Sequence, residues 1–144
     1  MLNTNPILEN LFLIDITICV TCKTEYGQGI EVSAKGDIYS FGVMLLEMIT
    51  RKKPTSGFFS NGLYLRKWVV SAFPNNIMSV VDATLKQESS LEEKETKVAL
   101  QKLEQSCLGV LNVALMCTEE KPHERPLMSS VRKLLLDVWK QMGF

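Results

Sequence analysis

The segment "DIYSFGVMLLEMIT" (37–50) is apolar on nearly every side of a helix, because only a serine, a glycine and a glutamate interrupt its run of apolar residues. A surface helix shows one apolar stripe, whereas a helix that is apolar all round lies inside a core. The pattern therefore predicts that the most buried helix of the protein begins at Asp37 and reaches about Thr50. Asp37 at its start is either a plain helix cap or a carboxylate directed at another part of the protein.

Helical spacing recurs further along the chain. One apolar face comprises Leu65, Trp68, Val69, Ala72 and Phe73. Later helices are predicted over 75–85, from about Ser90 through Ala114, and from about Pro126 to the end. Residues 1–24 are apolar and β-branched without a helical period, so they form an N-terminal stretch unlike residues 25–144. The pattern predicts a mainly α chain with about five helices and almost no strand.

Composition narrows the class of protein. The 144 residues are 46% hydrophobic and 22% charged, which suits one globular domain with a core. Sixteen basic and sixteen acidic residues cancel, so no charge pattern indicates binding to nucleic acid. The longest apolar stretch, "LFLIDITICV" (11–20), contains an aspartate and is too short to span a bilayer. We expect no direct membrane insertion and, for the chain as encoded, a cytoplasmic location.

The four cysteines do not indicate a metal or disulfide site. Cys19 and Cys22 resemble half of a zinc or redox site, but a zinc site needs a second pair or two histidines, and His123 is the only histidine. Together with Cys107 and Cys117 they are expected to be reduced, unreactive thiols.

Three blocks in order carry a resemblance to a known family. They are "EYGQGIEVSAKGDIYSFGVMLLEMITRKKPT", "LRKWVVSAFPNNIMSVVDATL" and "CLGVLNVALMCTEEKPHERPLMSSVRKLL". Together they resemble the second half of the kinase domain of plant receptor-like serine/threonine kinases, most closely the leucine-rich-repeat receptor type. The resemblance implies a truncated protein-kinase-like fold, in which 25–144 form the helical large lobe from the end of the activation segment to the last helix.

The resemblance implies structural roles for five residues. Asp37 resembles the aspartate that holds backbone N–H groups of the catalytic loop in kinases. Met44 and Met48 stand where an apolar column ends that continues into the adenine pocket, but here only a plain core role is expected of them. Glu25 resembles the glutamate that closes the activation segment, and Arg125 resembles its buried arginine partner, which predicts an ion pair between them.

Several positions differ from the family pattern. Lys23 and Thr24 replace the Ala-Pro that precedes the glutamate, and Ile18 stands where a substrate-contacting threonine belongs. Arg51 replaces the glycine that usually follows the central helix. Leu127 stands where a serine or threonine would cap the last helix, a loss of about 1 kcal/mol.

The groups that perform phosphoryl transfer do not occur in the sequence. The reaction needs a glycine-rich loop, a lysine on the phosphates, metal-binding side chains and a catalytic aspartate. Neither "HRD" nor "DFG" is present, and "GQG" (27–29) is only half of a glycine loop. We therefore expect no catalytic, cofactor-binding or metal residues in this chain, although the full family domain uses ATP and Mg²⁺.

Two functional hypotheses follow. By resemblance the chain is a fragment of a receptor-like kinase, whose full-length members reside in the plasma membrane, and it is expected to be inactive alone. The alternative is a non-catalytic helical interaction module, or an unstable truncated product. Trp68 and Phe73 belong to a region that kinases use for docking, so another kinase or a different protein is the partner we would expect.

Overall fold

The structure, a computed structural model, describes residues 31–87 and 93–143. The chain folds into five α-helices over these ranges: α1 (Glu31–Thr50), α2 (Leu65–Ala72), α3 (Ala83–Gln87), α4 (Glu93–Cys117) and α5 (Met128–Gln141). Two 3₁₀ turns, Ile77–Ser79 and Pro122–Glu124, lie between them. No strand occurs in the described ranges, so the prediction of a mainly α fold is confirmed.

The core lies between α1 and α4, and α5 also packs against α4. The fully buried side chains come from all parts of the chain that pack together: Leu45, Leu46, Ile49, Val69, Ile77, Cys107, Val110, Leu111, Val113, Thr118 and Val131. α1 and α4 thus share the core. Over the predicted range 37–50, seven of fourteen residues are buried, against nine of the 21 residues of α4 over 97–117, so the predicted segment has the larger buried share.

The start of α1 was predicted wrongly. The helix begins at Glu31, six residues before Asp37, so Asp37 lies inside the helix and does not cap it. The preceding residues "EVSAKG" include the good helix formers Glu, Ala and Lys, and they extend the helix backwards.

The end of α1 was predicted correctly at Thr50. The Thr50 hydroxyl donates to the Leu46 carbonyl at 2.8 Å. Arg51 then takes the left-handed conformation, with φ of 55°, and its N–H donates to the Glu47 carbonyl at 2.7 Å. This geometry ordinarily selects glycine after a helix, which is the residue that the family pattern has there.

The helix α2 follows a tight turn. Asn61 and Gly62 are both left-handed, with φ of 55° and 77°, and the Leu63 N–H donates to the Ser60 carbonyl at 3.0 Å. Asparagine and glycine are the residues that tolerate this conformation. On its inner face α2 buries leucine, valine and alanine side chains at the predicted helical spacing.

The last helix begins without a side-chain cap. Leu127 occupies the N-cap position, is 63% exposed and offers no side-chain hydrogen bond to the helix N-terminus. The sequence prediction that a leucine stands in the capping position is therefore confirmed.

Candidate functional site

The guanidinium of Arg125 joins three backbone carbonyls, and we call this arrangement the arginine clasp. Its Nε donates to the carbonyl of Glu119 at 2.8 Å, Nη1 to that of Lys35 at 2.9 Å and Nη2 to that of Glu120 at 3.3 Å. The guanidinium also lies over the ring of Tyr39, 4.7 Å from the centroid. A planar group with five fixed donors suits such multiple recognition, which a lysine could not reproduce.

Lys35 both donates a hydrogen bond to Arg125 and accepts one from it. Its ammonium donates to the carbonyl of Arg125 at 2.7 Å, while the guanidinium of Arg125 donates to the carbonyl of Lys35. These two residues lie ninety positions apart in the sequence. The paired bonds therefore hold the N-terminal part of α1 to the segment that leads into α5. Hydrogen bonds from charged donors contribute about 1.5–3 kcal/mol each when well formed, and less where water reaches them.

The predicted partner of Arg125 lies outside the described residues, since these begin at position 31 and the partner is Glu25. The clasp uses three of the five guanidinium N–H groups. The other two could donate hydrogen bonds to a carboxylate. The ion pair between Glu25 and Arg125 stays a prediction.

The three other family positions lie along one side of α1. Asp37, Met44 and Met48 are spaced by seven and four residues, which places them on the same helix face. Asp37 is exposed, and Met44 is 41% exposed, so Met44 does not have the core role expected of it. Met48 is half-buried and packs against the core. The described residues leave this side of α1 partly open.

Trp68 belongs to a group of three aromatic rings. Its ring contacts Phe58 with centroids 5.2 Å apart and Phe59 with centroids 5.9 Å apart, and the two phenylalanine rings lie 5.1 Å from each other. All three pairs are edge-to-face, the arrangement that aromatic quadrupoles favour. Phe73 is half-buried at the end of α2, where its N–H donates to the carbonyls of Val69 and Val70.

Sequence reasoning missed Phe58 and Phe59, because they stand in a segment identified only as a loop. The loop is shaped by its own hydrogen bonds: the Ser56 N–H donates to the Lys53 carbonyl at 2.9 Å, and the Phe59 N–H donates to the Ser56 carbonyl at 3.0 Å. The signal that could have found the rings is the adjacent pair of phenylalanines itself, since a loop seldom places two large apolar residues together without a packing partner.

The chemistry available within the described residues is limited. Burial raises the pKa of the Cys107 thiol to about 12, and the pKa of the Cys117 thiol likewise to about 12. Both therefore stay protonated and unreactive near neutral pH. Within residues 31–87 and 93–143, no group of three or more His, Cys, Asp or Glu side chains is placed to hold a metal ion.

The helices of this fold pack around α1 and α4, and an arginine fastens the beginning of α1 to the segment before the last helix. This arrangement corresponds to the helical large lobe of a protein kinase. The family model described as protein tyrosine and serine/threonine kinase matches residues 22–135. This chain belongs to the protein tyrosine and serine/threonine kinase family.

Relatives similar to this chain include receptor kinases of a plant. A probable LRR receptor-like serine/threonine-protein kinase of Arabidopsis thaliana is 38% identical over 115 residues, covering 79% of this chain and 11% of that protein. A leucine-rich repeat receptor-like tyrosine-protein kinase of the same plant is 35% identical over 116 residues, covering 79% of this chain and 12% of that protein. A third, a receptor-like serine/threonine-protein kinase, is 38% identical over 112 residues, covering 77% of this chain and 29% of that protein.

These relatives confirm the resemblance to receptor-like kinases. The chain spans about a tenth of the length of the first two and less than a third of the third. Among the helices in the described ranges, none combines the length and the apolar character that crossing a bilayer requires.

Proposed function

We propose that this chain is the helical half of a receptor-like serine/threonine kinase domain and that it does not transfer phosphate by itself. The observation that carries the proposal is the combination of a family match over 22–135 with a sequence that contains none of the phosphate- or metal-binding motifs. Kinase catalysis consists almost entirely of positioning ATP, metal ions and the substrate hydroxyl, so no weaker mechanism remains when those groups are missing.

Asp37 does not replace the missing groups. It lies inside α1 and is exposed, and among the described residues it belongs to no group of three or more potential metal ligands. A carboxylate acts in phosphoryl transfer only together with the groups that hold the ATP phosphates and the metal ions, and the sequence contains none of the motifs that supply them. In the full family domain ATP and Mg²⁺ would be held by residues outside this sequence. The similarity of this chain to receptor-like kinases supports the proposal that the chain lies in the cytoplasm.

The test is an incubation of purified chain with labelled ATP, Mg²⁺ and a generic serine/threonine substrate. The proposal expects incorporation equal to that of a protein-free control. Incorporation above the control that disappears in the Asp37→Asn variant would overturn it. Incorporation that persists in Asp37→Asn would point to a contaminating kinase. The chain would then be purified again from a different host, and the assay repeated.

A further inference from the structure

Aromatic rings and cations lie together where α1 ends. We name this region the aromatic–basic surface and define it by Phe58, Trp68, Arg51, Lys52 and Lys53. Phe58 is 48% exposed although its ring contacts Trp68, and the ammonium of Lys52 lies 4.8 Å from the Phe58 centroid. Arg51 and Lys53 are exposed beside them. An aromatic ring that is half exposed and lies against a lysine ammonium differs from a plain core residue.

The exposed ring is held in position. Trp68 and Phe59 contact the Phe58 ring from two sides, and the Phe58 N–H donates to the Ser56 hydroxyl at 3.3 Å. A ring that is already fixed loses little conformational freedom when a partner covers it. Aromatic side chains and arginine are enriched at the centres of protein interfaces, and tryptophan and arginine are among the residues that dominate binding energy there.

The charge of the surface favours one kind of partner. Asp82 is an acidic residue close to these cations. The pKa of its carboxyl is lowered, mainly by hydrogen bonds from Thr84 and to a smaller extent by the charges of Arg51 and Lys52. That carboxylate already accepts hydrogen bonds from Thr84. Arg51 and Lys53 are exposed, and the half-buried Lys52 places its ammonium over the Phe58 ring. The whole chain has a net charge of zero, so the positive excess is local.

We propose that the aromatic–basic surface binds an acidic segment of a protein partner, with an apolar side chain of that segment against Phe58 and its carboxylates facing the three cations. Charge complementarity of this kind speeds association and selects partners. Anionic membranes are the weaker match, because recognition of their headgroups usually takes clusters of about four to eight cations. The inference does not depend on whether the chain transfers phosphate.

The experiment measures the anisotropy of a fluorescein-labelled peptide, Glu-Glu-Glu-Phe-Glu-Glu, on addition of the full 144-residue chain. Two control peptides replace the phenylalanine by alanine or every glutamate by lysine. Protein variants are Phe58→Ala and the double variant Lys52→Gln/Lys53→Gln. The matched controls are Leu127→Ala, an exposed apolar residue elsewhere, and Lys133→Gln/Lys140→Gln on α5.

We expect the acidic aromatic peptide to bind, and the Phe58 and lysine variants each to weaken binding by about tenfold or more. The control variants should stay within about twofold, and added salt should weaken binding. Circular dichroism checks that Phe58→Ala is folded; if it is not, the Lys52/Lys53 variant decides. Failure of the acidic peptide to bind, equal binding of the lysine peptide, or unchanged affinity in the deciding variants would overturn the proposal. So would tighter binding to phosphatidylserine vesicles or to an oligonucleotide.

Discussion

Arg51 occupies a backbone conformation that suits glycine. Its φ of 55° lies in the left-handed region, which costs an L-residue about 1–2 kcal/mol. Glycine avoids this cost but has more freedom to lose on folding, which offsets part of the gain. The position was identified from sequence as one where the family pattern has glycine, and the structure supplies the physical reason.

We therefore expect Arg51→Gly to raise the free energy of unfolding by about 0.5–1 kcal/mol. The control is Arg51→Ala, which removes the same side chain but keeps the unfavourable conformation, and it should not stabilise the protein. Urea denaturation measures both. A glycine variant no more stable than the alanine variant would show that the left-handed conformation is not the source of the cost.

The arginine clasp is the second feature at this scale. Arg125→Met removes all three hydrogen bonds from the guanidinium to backbone carbonyls, and Arg125→Lys keeps the charge but not the planar fork. Because the side chain is half-buried and water can replace some of these bonds, we expect a loss of about 2 kcal/mol for methionine and a smaller loss for lysine. The measurement is again the denaturation midpoint.

Lys133→Met serves as the control for the clasp. It removes an exposed cation from α5, so its effect should stay within about 0.5 kcal/mol. If Arg125→Met changed stability no more than Lys133→Met, the hydrogen bonds of Arg125 would not fasten the segment before α5 to α1.

At the scale of the elements, the packing of α1 on the end of α4 depends on Gly42. A Cβ placed there would lie 2.6 Å from Cys117 Cβ and 2.7 Å from Thr118 Cγ2, closer than atoms can approach. Gly36 lies on the same helix, is exposed and would have nothing within 4 Å of an added Cβ. The same substitution therefore has opposite consequences at the two positions.

Gly42→Ala should destabilise the protein by about 1–3 kcal/mol, because the two helices must move apart to admit the methyl group. Gly36→Ala should stabilise it by about 0.5–1 kcal/mol, since alanine favours a helix more than glycine does. Chemical denaturation of the two variants side by side gives both values. A Gly42→Ala variant as stable as Gly36→Ala would contradict the close helix contact.

The helix boundaries also show which features of the fold could be predicted from the sequence. The inner face of α2 and the stop of α1 could be predicted, because apolar spacing and the family glycine position are local signals. The start of α1 could not: Asp37 is a residue that caps helices, yet good helix formers before it carry the helix back to Glu31. The exposure of Phe58 could not be predicted either, because a loop has no period and the ring's position depends on contact with Trp68.

At the scale of the whole molecule, the described residues form one core rather than a set of separate helices. Buried side chains of α1, α2, α4 and α5 belong to the same apolar cluster. Most of the stability of such helices comes from tertiary packing rather than from intrinsic propensity. The side of α1 that bears Asp37 and Met44 stays only partly open: Phe41 on this side is buried, and the fully buried Leu45, Leu46 and Ile49 lie on the other faces of the helix. The helical half of the kinase domain should therefore fold as a unit.

The measurement that tests this claim most directly is thermal unfolding of the purified chain, followed both by far-ultraviolet circular dichroism and by tryptophan fluorescence. Trp68 lies in α2 within the aromatic group and Trp139 lies in α5, so the fluorescence signal reports on two different helices. We expect one cooperative transition at the same temperature by both methods. A gradual loss of signal, or two transitions at different temperatures, would contradict this expectation and show that this half of the kinase domain does not fold as a single unit on its own.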